Sequence, residues 1–537
     1  MTKIMPHNYH PIQTLGPLCS GLDIQSYPDH WDTLQTCPIN QLQIDSRKVG
    51  QNDLFIAVKG FEADGHAYLE QVARQGALAA VVEVPHPHVD LPQIVVQDSR
   101  AAVADLASQY YDHPSRQLEL CGITGSNGKT STSLLYRQII QTAGWPCGLI
   151  GTVAYEDGRS KVTSSMTTPD ALDLQRYLRN MVQEGYAHAV MEVSSIGLHQ
   201  NRVRQTRFAQ AALINLSQEH LDYHGSMEAY FLEKSKLLKG LDEEGVAVLN
   251  VDDPWSISLA DQVSARVLRF GLSDQADVRA DKLDLSTGFA SFDLCIEPEN
   301  FLASAKRKPQ TAFDLNTIEA GSYPVKLQVP GLHSVYNALA AITLALCQGI
   351  SPKVCAQAVG AYQGVERRFQ ELYHGDFRIF DDHFANSKNI DMTLKSLAEM
   401  DYQQLVMVYA IRGKRGPKVN RENIQTLNRW LPQLKMRAFI PSLSQDTVGH
   451  YDEVQAEEIA VFQEEMQHNH MPYTLYDQLE TALDQALAQV QPGDVILLAG
   501  CQGMDAGGRL ILQKLAEKDP DRREDILAPL QGRVCGW

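Results

Sequence analysis

The 537 residues are 44% hydrophobic and 21% charged, which excludes a disordered, collagen-like or disulfide-scaffolded chain. At roughly 150 residues per domain the length calls for three or four domains. With 65 acidic against 47 basic residues the net charge is -18, a surface that repels nucleic acid and accepts small anions only where local basic groups gather.

In chain order, Asp53–Val58 and Ala79–Val84 read as strands, with a helix over Tyr68–Gln75 between them. A second helix runs from Asp98 to Tyr111, where Asp98 or Ser99 can cap it. His113-Pro114-Ser115 then interrupts the pattern, because a residue before proline avoids the helical region. Strands follow at Leu118–Ile123, Ala187–Val193, Ala211–Asn215 and Gly245–Asn250, with a helix over Thr130–Ala143. Strands separated by helices predict parallel pairing in a doubly wound sheet. Residues 276–329 read as a small antiparallel insertion, and Ser334–Cys347 as a helix. From about Gly364 a second alternating unit begins, with strands at Arg378–Phe380, Leu405–Ala410, Ala438–Ile440 and Asp494–Ala499. The tail after Lys518 is charged and is expected to be mobile. The fold class is therefore α/β with three domains: a smaller α/β domain over 1–115, a central, mostly parallel doubly wound phosphate-loop domain over 116–363, and a Rossmann-like domain over 364–537.

Nine scattered cysteines without a CxxC pair read as free thiols in a reducing compartment. The N-terminus has no apolar core of a signal peptide. The most apolar run, Val335–Ile350, is short and carries Asn337 and Gln348, which suits a buried helix rather than a membrane span. A cytoplasmic protein with no membrane or nucleic-acid partner is expected.

The strongest chemical signal is Gly122-Ile123-Thr124-Gly125-Ser126-Asn127-Gly128-Lys129-Thr130, between a strand and a helix. Glycines let the backbone curl so that successive N–H groups point at phosphate oxygens, and the helix N-terminus adds positive charge. Lys129 would reach the β- and γ-phosphates and the Thr130 hydroxyl would bind Mg²⁺. The strict GxxxxGK[ST] spacing is not met, since its first glycine falls on Ile123.

This loop resembles the TGTNGKT signature of the Mur ligase family, ATP-dependent amide ligases of peptidoglycan synthesis. Further runs resemble the MurE-type branch, the UDP-N-acetylmuramoyl-L-alanyl-D-glutamate ligases. They are Gln43–Val49, Asp53–Gly60, Asp64-Gly65-His66, Thr167-Thr168-Pro169-Asp170, Met191–Ser195, Gln200–Val203 and Asn215-Leu216. Glu219–Gly225, with Tyr230 and Lys234, completes the series, which spans residues 43 to about 370. The resemblance implies an ATP-dependent ligase that joins an amino acid to UDP-N-acetylmuramoyl-L-Ala-D-Glu through an acyl phosphate, with ATP and Mg²⁺. It implies small-molecule partners only and a monomer or weak oligomer.

By the same resemblance Lys129, Glu192, His220 and Lys234 are the catalytic set. Gly125, Asn127, Gly128, Lys129, Thr130, Ser131, Asn337, Arg368 and Asp381 would meet ATP. Metal would be held by Thr130, Glu192, His220 and a carbamylated Lys234. Ser46, Thr167, Thr168, Ser194, Gln200 and Arg202 would bind the UDP-sugar peptide, with Arg202 suited to a carboxylate or diphosphate. The plainer alternatives are a strand-end carboxylate in water, a structural histidine and a solvated helix lysine. The family's Asn and His are replaced by Met166 and Ile196, and the Gly of its GRM element by Arg367.

In the last domain the likeness weakens. Phe380–Asn386, Ala410–Pro417, Pro441–Asp446 and Gly500–Asp505 stand where the family carries its DYAHxP, GxGGxRD, DNPR and GKGHE elements, the third of which marks amino-acid selection. Arg412, Lys414 and Arg415 could clamp an anion, or form a solvated basic loop. Besides the MurE-like reading stand a divergent ligase recruited to another acceptor or amino acid and a non-catalytic nucleotide-binding homologue. A folylpolyglutamate synthase is disfavoured by the uridine-nucleotide-like N-terminal segment.

Overall fold

A computed structural model describes residues 13–60, 63–164, 166–219, 221–285, 289–297, 321–384, 386–450, 452–467 and 472–531. The chain falls into two compact units. Of the described residues, the first holds those up to Arg279 with Cys295–Glu297, Gly321 and Tyr336–Cys355; the second holds Ala280–Leu294, Ser322–Val335 and those from Ala356 onward.

The first unit begins with strands β1 (Ile24–Ser26), β2 (Leu42–Gln43), β3 (Leu54–Ile56), β4 (Ala79–Val82) and β5 (Gln93–Val96), in the order β1-β5-β4-β3-β2. All pairs are parallel except β1–β5. The four residues of β4 are buried, as a strand covered on both faces must be. The segment between β3 and β4 is a 3₁₀ turn at Gly65–Tyr68 followed by a helix at Leu69–Arg74, so the expected helix starts later. Helix α1 (Ser99–Tyr110) is capped by Asp98, whose carboxylate accepts from the Ala101 N–H at 3.0 Å.

The same unit continues with β6 (Glu119–Thr124), β7 (Cys147–Ile150), β8 (Ala154–Glu156), β9 (Lys161–Thr163), β10 (His188–Glu192), β11 (Gln210–Leu213), β12 (Val246–Asn250) and β13 (Arg266–Gly271). Their order is β9-β8-β7-β10-β6-β11-β12-β13. Strands β7, β10, β6, β11, β12 and β13 pair in parallel, and β8 and β9 turn back as an antiparallel hairpin. That hairpin escapes sequence reading because its three-residue strands are too short to show a period. Helices α2 (Lys129–Thr142), α3 (Ala171–Gln183), α4 (Ser195–His199) and α5 (Met227–Lys239) connect the strands. The core gathers Leu120, Met191, Leu213, Leu237 and Leu249, all buried, and each such leucine contributes roughly 1.5–3 kcal/mol.

Strands β14 (Val278–Asp284), β15 (Phe289–Ile296) and β16 (Ser322–Pro330) occupy the segment expected to be an antiparallel insertion and are neighbours in that order, but β14 pairs in parallel with β13, Phe270 opposite Val278 and Gly271 opposite Arg279, so the segment extends the sheet and is not wholly antiparallel. Helix α6 (Leu332–Cys347) follows. The second unit carries β17 (Gln370–His374), β18 (Arg378–Asp382), β19 (Leu405–Ala410), β20 (Met436–Ser442) and β21 (Val495–Gly500), ordered β17-β18-β21-β19-β20. Only β17–β18 is antiparallel. Its helices are α7 (Ser387–Ala398), α8 (Pro417–Trp430), α9 (Ala456–Gln467), α10 (Leu479–Gln489) and α11 (Gly507–Lys518). Residues 519–531 of the tail are not the loose segment their charge suggests. They form a helix at Arg523–Leu527, and Ile526 and Leu530 are buried among Leu512 and Leu515. Two apolar residues at the right spacing outweigh the surrounding charge.

His188 opens β10, is 1% exposed, and stacks on Trp145 at 4.9 Å. Neither ring nitrogen has a hydrogen-bond partner. Burial pushes its pKa down to about 4. A folded pKa below the unfolded one makes protonation favour unfolding, so stability falls as pH drops from 6.5 and levels off below about 4. The full effect is roughly 3 kcal/mol. H188L should flatten the slope of Tm against pH across that window, measured by thermal unfolding.

Candidate active site

The register of the first unit assembles the phosphate loop. Strand β6 lies between β10 and β11, with Ile123 opposite Glu192 and Thr124 opposite Leu213. The loop leaving β6 is therefore flanked by the carboxyl end of β10 and by Asn215 just beyond β11, where ligands gather in open α/β sheets. The Ser126 N–H donates to the Asn215 carbonyl and the Asn127 N–H to its Oδ1, both at 3.0 Å. Asn215 Nδ2 returns a bond to the Asn127 carbonyl at 3.1 Å.

Helix α2 starts at Lys129 without a side-chain cap, which leaves its first N–H groups directed at the loop interior. Gly128 has φ of 86°, and a Cβ there would fall 2.2 Å from Asn337 Oδ1. Only glycine fits both the left-handed backbone and that contact. Asn337 is itself buried and accepts from Thr132 Oγ1 at 3.4 Å. The loop thus brings Gly125, Asn127, Gly128, Lys129, Thr130 and Ser131 together with Asn337.

Glu192 is 1% exposed. Its carboxylate accepts from Thr130 Oγ1 at 2.9 Å, from the Thr152 N–H at 2.8 Å and from Thr152 Oγ1 at 2.9 Å. A buried carboxylate needs such donors, so the strand-end carboxylate in water is ruled out. Thr152 went unmarked in the sequence; its signal was the turn after an apolar strand at Leu149-Ile150. Lys129 Nζ folds back to the Gly125 and Ser126 carbonyls at 2.9 and 2.8 Å.

Lys234 is 1% exposed on α5, so it is not a solvated helix lysine. Its Nζ donates to the Gly125 carbonyl at 2.9 Å and lies 4.7 Å above the Tyr230 ring. Burial, helped by the nearby Lys129 charge, pushes this amine well below its ordinary pKa. Tyr230 OH pairs with Ser126 Oγ at 3.2 Å, tying α5 to the loop. His220 lies outside the described residues. Among the described residues no three His, Cys, Asp or Glu side chains cluster as a metal cage. The Thr130 hydroxyl and Glu192 carboxylate are hard oxygen donors, which fits Mg²⁺ shared with phosphates and water.

Of the expected acceptor residues, Thr167, Thr168 and Ser194 lie beside Glu192 or its partner Thr152. Thr168 Oγ1 donates to the Glu192 carbonyl at 3.0 Å and accepts from the Ser194 N–H at 3.0 Å. Thr167 and Thr152 hydroxyls pair at 3.1 Å. Ser194 Oγ caps α4 through the Gly197 N–H. Arg202 donates to the Thr168 carbonyl at 2.7 Å and to Gln200 Oε1 at 2.7 and 3.1 Å. Met166 Sδ lies 3.1 Å from the same guanidinium. Ser46, Gln200 and Arg202, with Arg47, Arg100 and Asp170, line a cavity of about 1090 Å³. Burial raises the Asp170 pKa, with Asp173 adding to it and Arg202 opposing.

Arg368 and Asp381 belong to the second unit. Asp381 is fully buried and accepts from Arg367 Nε at 3.2 Å. The basic loop at 412–415 is committed internally in part. Glu458, fully buried on α9, accepts from the N–H groups of Lys414, Arg415 and Gly416 at 3.0, 2.9 and 2.8 Å. Lys414 Nζ donates to the His450 carbonyl and Arg415 pairs with Asp452 at 3.4 Å. Asp446 caps α10 through the Leu479 and Glu480 N–H groups, and Asn386 caps α7.

Three family models match: the catalytic domain of the Mur ligase family over residues 38–111, the Mur ligase middle domain over 123–345, and the glutamate ligase domain of Mur ligases over 367–502. The chain is 34% identical over 466 residues to the UDP-N-acetylmuramoyl-L-alanyl-D-glutamate–2,6-diaminopimelate ligase of Geobacillus kaustophilus, covering 86% of this chain and 89% of that one. The enzyme of that name from Chlamydia trachomatis serovar D is 33% identical, over 71% and 75% of the two chains. A solved structure of a ligase of the same name superposes with a TM-score of 0.64 at 22% identity, covering 92% and 95%. MurF from Acinetobacter baumannii superposes at 0.63 with 21% identity, over 95% and 99%. These superpositions establish the three-domain α/β fold.

Substituting Gly128 by alanine forces an L-residue into the left-handed region, which costs about 1–2 kcal/mol, and adds the clash with Asn337. G128A should lower Tm by roughly 3–6 °C, read by calorimetry, and N337G in the same chain should recover part of it.

Proposed function

The chain belongs to the Mur ligase family, and we propose that it is an ATP-dependent ligase of the MurE type that adds an amino acid to UDP-N-acetylmuramoyl-L-Ala-D-Glu. The observation that carries this reading is the juxtaposition, within one unit, of the curled loop Gly125–Thr130, the Thr130–Glu192 contact and the buried Lys234. The cavity that joins Ser46 and Arg47 to Gln200 and Arg202 supports a nucleotide-sugar acceptor beside it. We assign residues 1–115 to the UDP-sugar, 116–363 to ATP and 364–537 to the amino acid. No helix among the described residues is long and apolar enough to cross a membrane; a cytoplasmic site of action suits the small soluble substrates.

The reaction follows from the residue chemistry. The acceptor carboxylate attacks the γ-phosphorus of ATP, the bond to the β-phosphate oxygen breaks, and ADP leaves from an acyl phosphate. The incoming amine attacks the acyl carbon, loses a proton, and expels phosphate as the amide forms. Catalysis here is mostly positioning and charge neutralisation. Loop N–H groups and Lys129 hold the terminal phosphates, and Arg202 orients the carboxylate. Thr130 and Glu192, with His220 and Lys234, would hold Mg²⁺, which neutralises phosphate charge. In Lys234 the depressed pKa favours the neutral amine, whose lone pair adds to CO₂ with release of one proton to give a carbamate.

The second reading, a divergent ligase for another acceptor or amino acid, draws on the loop at Pro441–Asp446, whose Ser442 and Ser444 bond each other and whose Asp446 is spent as a cap.

Phosphate release with ATP, UDP-muramoyl-dipeptide and a panel of diaminopimelate, lysine and neutral amino acids tests the assignment. One amino acid should support turnover; if none does, the muramoyl reading falls to the divergent ligase. K129A should abolish release, and wild-type turnover would remove the loop from the mechanism. K234A should be inactive and partly rescued by short-chain carboxylic acids; full activity without them rejects the carbamate.

A further inference from the structure

The turn between β7 and β8 is fastened on two sides. Toward the sheet, the Thr152 N–H donates to Glu192 Oε1 at 2.8 Å and the Thr152 hydroxyl to Glu192 Oε2 at 2.9 Å. Gly151 lies so close that a Cβ there would strike Oε1. Toward the chain that follows, Ser164 Oγ donates to the Thr152 carbonyl. Tyr155 OH accepts from the Met166 N–H at 3.2 Å and donates to the Met166 carbonyl. The Thr152 and Thr167 hydroxyls stand 3.1 Å apart. One residue on, the Thr168 carbonyl accepts from Arg202, which lines the cavity of about 1090 Å³ together with Asp170. The segment Met166–Asp170 thus leads from the Glu192 carboxylate to the cavity, with Thr152 at its Glu192 end, and all of these residues belong to the first unit.

A threonine hydroxyl has one proton to give and two lone pairs with which to accept. Thr152 Oγ1 has two oxygens within reach, Glu192 Oε2 and Thr167 Oγ1, so it donates to one of them at a time. A carboxylate oxygen gives no proton in return, which fixes the order: Thr152 donates to Glu192, and Thr167 donates to Thr152. In that state half-buried Thr167 turns only lone pairs toward the open side. Oε2 is also the oxygen that Thr130 reaches at 2.9 Å, where hard donors suit Mg²⁺. A cation drawing on Oε2 competes with Thr152 for its lone pairs. Released from the carboxylate, the Thr152 proton turns to Thr167 Oγ1, and the Thr167 proton is freed to point outward. Each hydroxyl keeps its own proton throughout, and only the direction of donation reverses.

Satisfying the Thr152 hydroxyl does not call for this arrangement, because the residue is exposed and has water as a partner. We propose that Thr152 is a positioning residue that couples cation and nucleotide binding to acceptor binding. With Glu192 engaged by a cation, it leaves Thr167 free to donate to an anionic oxygen of the acceptor; with Glu192 unengaged, it withholds that donor. A hydroxyl proton on the segment held by the Arg202 guanidinium suits a carboxylate. The proposal rests on the ligase reading above, in which Mg²⁺ and nucleotide meet Thr130 and Glu192 and the muramoyl peptide meets Thr167.

The test is titration calorimetry on the full chain, with UDP-muramoyl-dipeptide added in the absence and presence of saturating Mg²⁺ and ADP. Wild type, T152V, T152S and T167V are compared, with Tm measured alongside. Wild type should bind the dipeptide roughly fivefold more tightly with Mg²⁺ and ADP, the worth of about one hydrogen bond. By reciprocity the dipeptide should tighten the binding of ADP with Mg²⁺ by the same factor. T152V keeps the branched shape and the N–H but has no hydroxyl to turn. Its dipeptide affinity should be equal in the two states and match the tighter wild-type value, because Thr167 is always free to donate. T167V should also be equal in the two states, but at the weaker value. T152S restores the hydroxyl and should restore the difference. A merely structural role would lower Tm and leave the wild-type ratio between the two states in T152V; that result, or a wild-type ratio of one, overturns the proposal while the ligase reading stands. If wild type binds no dipeptide in either state, the muramoyl reading falls and takes the proposal with it.

Discussion

A carboxylate taken out of water must be given donors, and the first unit is organised around meeting that demand for Glu192. One bond from Thr130 and two from Thr152 satisfy it, and the two residues draw separate segments to the carboxyl edge of the sheet. Thr130 opens α2, Thr152 follows β7, and Thr168 bonds the Glu192 carbonyl from the segment before α3. The parallel register of β6, β10 and β11 puts these ends at one height. Thr130 of the loop, Thr152, Thr168 and Glu192 are thereby one connected polar network, and such a network is strong only while all members are satisfied.

Charge compensation is the second theme. With an excess of acidic residues overall, the cations that matter are placed where geometry holds them. Arg202 is hydrogen-bonded to a carbonyl and an amide oxygen, with the Asp170 carboxylate acting on it through space. Arg367, by contrast, is surrounded by carboxylates and carbonyls. The one lines an open cavity and the other holds the protein's own chain in place.

How much of this the sequence disclosed depends on how local each signal is. Asp98 as a cap, the glycines of the phosphate loop, Glu192 at a strand end and the alternation of strands and helices all involve neighbours within a few residues, and they stood out. The hairpin β8–β9, the donors from Thr152 and the fold of the tail past Lys518 did not. Short strands lack a period, a threonine in a turn has no pattern of its own, and two buried side chains do not outweigh charge in a composition count. Arg367 was legible only as a departure from a family glycine. Its partners Asp381, Gly500, Cys501 and Asp505 are brought near by strand order in the sheet, which no window of sequence contains. The same holds for Glu458, which meets residues more than forty positions away.

That glutamate has one more consequence. Where a strand runs into a helix, bare amide groups ordinarily wait for a visiting anion. At the head of α8 the chain supplies its own, seated on three consecutive amides. The turn is held by the chain's own carboxylate, and a turn already ordered costs a visitor less to meet than one it must freeze. The three amides before Pro417 are thereby taken, and an anion approaching them would have to displace Glu458.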